Sequence, residues 1–148
     1  MQGLTDLRLL LQSMEPSLDT ELYRFCSAAH FHADWAEQAF ACVKEAQGWT
    51  YVLAERYLPE STDAADVRHN LQVSNKPYRR ITLQVHSSLE AVGLTAAVST
   101  VLATHQISCN MLAGFYHDHL FVPQEHAELA LQLLVQLSAD MRSDGFFG

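Results

Sequence analysis

Residues 81–123 read ITLQVHSSLEAVGLTAAVSTVLATHQISCNMLAGFYHDHLFVP, and they contain the clearest succession of predicted strands and helices in the chain. Apolar and polar residues alternate over 81–86, which predicts a half-buried strand. From Gly93 onward the apolar residues recur at helical spacing, which predicts an amphipathic helix. Strand character returns at 107–115 and 119–122, with a tight turn between them. The predicted order is therefore strand, helix, strand, strand.

The first half of the chain has the same order of elements with little residue identity. The pattern predicts a strand at 22–28, then a short helix, then a hairpin over 39–54. A polar helix is predicted from 61 to about 71, and residues 73–78 are the best linker candidate because Asn and Pro there break regular structure. The two halves therefore form an architectural repeat.

This repeat predicts an α+β protein built from two ferredoxin-like βαββαβ units, with antiparallel sheets and helices on one face. Each half shows only three clear strands, so the fourth strand of a unit is expected to be borrowed or short. We predict an N-terminal unit with a leading helix at 1–75 and a C-terminal unit at 76–148.

Composition limits the classes of partner. The net charge is −8, which argues against nucleic acid and anionic membranes, since both require excess Lys and Arg. No apolar stretch reaches the roughly 18 residues needed to cross a bilayer. The three cysteines are scattered and odd in number, and no secretory signal is evident, so we expect a cytoplasmic protein with reduced thiols.

Four blocks of the sequence resemble a family of tandem ACT-type small-molecule-binding proteins, which are bacterial and mostly of unassigned role. These blocks lie in order along nearly the whole chain: LLLQSMEPSL (9–18), YRFCS (23–27), TLQVHSSLEAVGLTAAVS (82–99) and ISCNMLAGFYHDHLFVP (107–123). Residues 28–78 depart most from the family. The resemblance implies two ACT-like βαββαβ units that join their sheets across domains or subunits.

The resemblance also implies a ligand site, because ACT modules typically bind amino acids near the loop between the first strand and the first helix. In this chain that loop predicts the ligand-binding residues Ser87, Ser88, Leu89, Glu90, Val92, Gly93 and Leu94. Gly93 permits close backbone approach, and the amides at a helix start attract a carboxylate. The alternative is that the two serines only cap the helix and the glycine only relieves packing.

A histidine cluster is the second candidate site. In a ferredoxin-like sheet the first and third strands are neighbours, so His86, His117 and His119 are expected to converge, with Asp118 or Glu90 close by. His86 and His119 are therefore also candidate ligand contacts. Three imidazoles could hold zinc or another divalent metal. Hydrogen bonding to the backbone or to a polar ligand are the alternatives, and both are more common for half-buried histidines.

Catalytic signatures do not occur in the sequence, including nucleophile elbows, phosphate-binding loops and dinucleotide fingerprints. We therefore predict a non-enzymatic sensor of a small amino-acid-like effector, without a cofactor. A homodimer is expected because open sheets of this type are commonly covered by pairing. The alternatives are an interaction module without a ligand and a small metal-binding protein that uses the histidine cluster.

Overall fold

The computed structural model describes residues 6–58, 71–86 and 88–147, with side chains described as far as residue 143. The predicted polar helix from 61 to 71 and the predicted site residue Ser87 lie outside these ranges, apart from Leu71. The described elements are α1 (Leu7–Gln12), β1 (Pro16–Leu18), β2 (Tyr23–Ala28), α2 (Ala33–Gln38), β3 (Ala41–Glu45), β4 (Gly48–Ala54), β5 (Gln72–Val73), β6 (Tyr78–Leu83), α3 (Leu94–Thr104), β7 (Asn110–Ala113), β8 (Asp118–Pro123) and α4 (Ala127–Phe147).

The chain divides into two compact units that are interleaved in sequence. The inserted unit is Glu21–Tyr78, and the discontinuous unit combines Met1–Thr20 with Arg79–Gly148. The division of the sequence into consecutive halves at residues 75 and 76 remains a prediction. By their contacts, residues 1–20, with the leading helix α1, group with 79–148 rather than with the first half of the chain.

The inserted unit has the strand order β3–β4–β2–β5. The predicted hairpin is present as β3 and β4, and Gly48, the first residue of β4, has φ +150°. A Cβ at this position would lie 2.5 Å from the Ala28 carbonyl oxygen, so only glycine fits. The fourth strand, β5, has two residues and pairs with β2, which meets the expectation of a short fourth strand.

The core of the inserted unit lies between its sheet and α2. Its buried members are Cys26, Ala28, Trp35, Tyr51 and Leu53. The two aromatic rings, Trp35 and Tyr51, meet edge to face at 6.0 Å, an arrangement that aromatic pairs favour.

The discontinuous unit has the strand order β1–β6–β8–β7. Its fourth strand is borrowed from the N-terminal segment, because β1 pairs antiparallel with β6, with Pro16 opposite Leu83 and Leu18 opposite Ile81. The preceding helix α1 begins after Asp6, whose carboxylate accepts a hydrogen bond from the Leu9 amide at 3.1 Å. The ferredoxin-like expectation is therefore confirmed.

Helices α1, α3 and α4 supply one side of the core of the discontinuous unit, and β6 and β8 supply the other. Its buried members are Leu10, Leu11, Met14, Ile81, Leu83, Val85, Leu94, Val98, Leu102, Ile107, Leu120, Val122, Ala127, Ala130 and Leu134. A search of the described helices for one both long and apolar enough to span a bilayer finds none.

Candidate functional site

The predicted ligand loop joins β6 to α3 in the discontinuous unit, and it ends in a left-handed glycine. Gly93 is the N-cap residue of α3, with φ +100° and ψ −17°, and its carbonyl accepts from the Ala97 amide at 2.9 Å. A Cβ on Gly93 would lie 3.0 Å from Cδ2 of Leu7 on α1. The helix start is therefore fixed by a backbone conformation that other residues adopt only with strain.

Ser88 closes a turn within this loop and does not cap α3. The Glu90 amide donates to the Ser88 hydroxyl oxygen at 3.1 Å, and the Ala91 amide donates to the Ser88 carbonyl at 2.9 Å. The N-cap position of α3 has no side-chain hydrogen bond, and the first turn of the helix has no acidic residue. The Ser88 hydroxyl hydrogen can therefore still be donated to another group.

A cleft of about 150 Å³ opens between this loop and the β7–β8 hairpin, and this cleft is the candidate site. This volume is small compared with the roughly 300–1,000 Å³ typical of sites for drug-sized ligands. The residues that line it are Ser88, Leu89, Ala91, Gly93, Leu94, Thr95, Ala113 and Asp118.

Of the predicted ligand residues, four line this cleft: Ser88, Leu89, Gly93 and Leu94. Glu90 and Val92 belong to the same loop, but both are exposed and stand outside the lining. These four residues form one wall of the cleft, and their role in ligand binding stays a prediction.

The opposite wall comes from the ends of β7 and β8, where Ala113 pairs directly with Asp118. Side chains alternate along a strand, so Asp118 shares its face with Leu120 and Val122, which are fully buried in the core. A half-buried carboxylate thus ends an apolar row on the core side of β8. The sequence analysis considered Asp118 only as a neighbour of the histidines. Its spacing of two residues from Leu120 nevertheless predicts that both side chains lie on the same face of the strand.

The three candidate histidines have separate partners. His119 Nδ1 lies 2.9 Å from the Thr82 hydroxyl, and His117 Nδ1 lies 3.4 Å from the Val85 carbonyl oxygen. The His86 ring lies 6.0 Å from the ring of Tyr116. Within the described parts of the chain, no group of three or more His, Cys, Asp or Glu side chains is arranged to hold a metal ion. None of the three histidines lines the cleft.

The environment of His119 favours its neutral form. Burial lowers the pKa of this imidazole, the charge of Arg80 and that of His117 lower it further, and the carboxylate of Asp118 acts in the opposite direction. Its partner Thr82 is buried on the same side of the sheet, away from Leu83 and the helices. His119 therefore supports the sheet from the face opposite the cleft.

The inserted unit has a pocket at the corresponding strand-to-helix loop. It measures about 200 Å³ and is lined by His32, Ala33, Asp34 and Trp35. The His32 ring lies 4.2 Å from the Trp35 ring, and the His32 amide donates to the Tyr51 hydroxyl at 2.9 Å. The sequence did not predict this pocket, because residues 28–78 depart most from the family pattern.

Comparison with solved structures gives a relative of substantial identity. It is a Vibrio cholerae protein of unknown function, described as a possible transport protein, with 43% identity over 89% of this chain and 95% of that chain and a TM-score of 0.71. A protein from Agrobacterium tumefaciens is 18% identical over 83% of this chain and 87% of its own, with a TM-score of 0.65.

A further solved structure is the ligand-free regulatory subunit of aspartate kinase from Thermus thermophilus. It is 11% identical over 84% of this chain and 97% of that chain, with a TM-score of 0.62. At this identity the likeness shows the fold alone. A comparison with proteins of curated function finds no match.

Two families of ACT domains match the sequence, one over residues 75–136 and the other over residues 2–65. Both halves of the chain are thereby covered, as the resemblance predicted, and the strand orders of both units agree with the ferredoxin-like plan. The chain therefore belongs to the ACT-domain family, as a tandem of two ACT domains.

Proposed function

We propose that this protein is a non-enzymatic regulator that binds a small amino-acid-type effector in the cleft of the discontinuous unit. ACT domains typically bind amino acids in regulation. The observation that carries the proposal is the cleft of about 150 Å³ between the loop and the β7–β8 hairpin, because ACT modules typically bind their ligands near the loop between the first strand and the first helix. The proposed contacts are Ser88, Leu89, Gly93 and Leu94 from the loop, together with the facing hairpin.

The chemistry of the loop wall suits a carboxylate. The first amides of a helix have no intrahelical acceptor, and they carry the positive end of the helix dipole. At α3 no acidic side chain in the first turn competes for these amides. Gly93 keeps the approach to them free of a Cβ, and the Ser88 hydroxyl can donate a further hydrogen bond.

A thermal-shift screen with the twenty protein amino acids and divalent metals tests this function. A ligand that binds only the folded protein at 100 times its Kd adds about 2.7 kcal/mol of stability, which raises the Tm by roughly 5–11 °C at this chain length. We expect at least one amino acid to do so, and Gly93→Val to abolish the shift by placing a strained, branched side chain at the helix start.

The matched control is Gly48→Val, which strains a positive-φ glycine in the inserted unit and leaves the cleft intact. It should lower the Tm and retain the ligand-induced shift. An amino-acid shift that persists in Gly93→Val places the effector elsewhere. Flat curves with every compound favour an interaction module, and a metal shift lost in His119→Ala favours a metal-binding protein.

We also propose that the protein forms a homodimer. Four large apolar side chains on the ligand loop and the β7–β8 turn are 65–81% exposed: Leu89, Val92, Phe115 and Tyr116. A cluster of this kind supports a contact surface. Light scattering after size exclusion should give twice 16.6 kDa, and Phe115→Ser should reduce that mass. Leu129→Ser, on the exposed side of α4, is the control, and a monomer at high micromolar concentration contradicts the proposal.

A cytoplasmic location completes the proposal. All three cysteines are free, and two of them, Cys26 and Cys109, are buried or half-buried thiols. Free thiols persist in reducing compartments, whereas secreted domains of this size commonly pair them. Fractionation of the native host, with immunodetection in the soluble cytoplasmic fraction, tests this assignment, and recovery from the extracellular fraction contradicts it.

A further inference from the structure

We draw no further inference here: the strongest candidate, the pocket of about 200 Å³ in the inserted unit, is lined by the consecutive residues His32, Ala33, Asp34 and Trp35 at the start of the six-residue helix α2, and no second feature of the described residues points to a ligand there.

Discussion

Replacing Gly93 by alanine should destabilise the protein by about 1–2 kcal/mol. The residue has φ +100°, a conformation that costs a non-glycine residue about 1–3 kcal/mol. The lower chain entropy of the unfolded alanine variant offsets about 0.4–1 kcal/mol of this strain. The new Cβ would lie 3.0 Å from Leu7, but Leu7 is a flexible, partly exposed side chain that can shift. Backbone strain therefore accounts for most of the expected loss of stability. The Tm should fall by roughly 2–8 °C.

Chemical and thermal denaturation of a small set of variants checks this reasoning. Gly93→Asn should be more stable than Gly93→Ala, because asparagine tolerates positive φ better than alanine does. Adding Leu7→Ala to Gly93→Ala removes the contact at 3.0 Å and should recover little stability. The reasoning is refuted if Gly93→Ala is as stable as the wild type, or if Leu7→Ala restores the stability that alanine removes.

Other groups give further expectations. Burial lowers the pKa of His119, so the fold favours the neutral imidazole. The resulting stabilisation is complete above about pH 6.5 and is lost as the pH falls through the lower folded pKa, so acid denaturation of His119→Asn should depend less on pH than that of the wild type. Iodoacetamide at mildly alkaline pH should label the exposed Cys42 first, while Cys109, whose pKa burial raises to about 11, should react only after denaturation, as intact-mass spectra will show. Removal of residues 1–20 should abolish cooperative unfolding, measured by calorimetry, because that segment supplies α1 and β1 to the discontinuous unit.

The sequence predicted elements that depend on local chemistry. Alternation predicted the strands β2 and β6, and the glycine at position 48 predicted the hairpin of β3 and β4, because glycine is typical of turns between strands. It did not predict β1. That strand has three residues and begins at a proline, and it exists because β6, distant in sequence, provides its hydrogen-bonding partner. A pairing between distant segments leaves no periodic signal in either one.

The candidate site was predicted on one side only. Gly93 marked the loop, since a glycine before an apolar helical pattern indicates a special backbone conformation. The facing wall depends on the direction of Asp118. The sequence interpretation treated Asp118 only as a neighbour of the histidines, whereas side-chain alternation puts Asp118 with Leu120 on the core face and His119 on the other.

The interleaved order of the two units has a physical basis in the strand pair β1–β6. The chain leaves the discontinuous unit at Thr20 and returns at Arg79, and these points are held side by side. The Asp19 amide donates to the Arg80 carbonyl at 2.9 Å, and the Arg80 guanidinium contacts the Asp19 carboxylate at 2.8 Å. An insertion between neighbouring strand ends adds little loop-closure entropy, because its two ends are already close together. The borrowed strand therefore both completes one ACT domain and provides the place where the other is inserted.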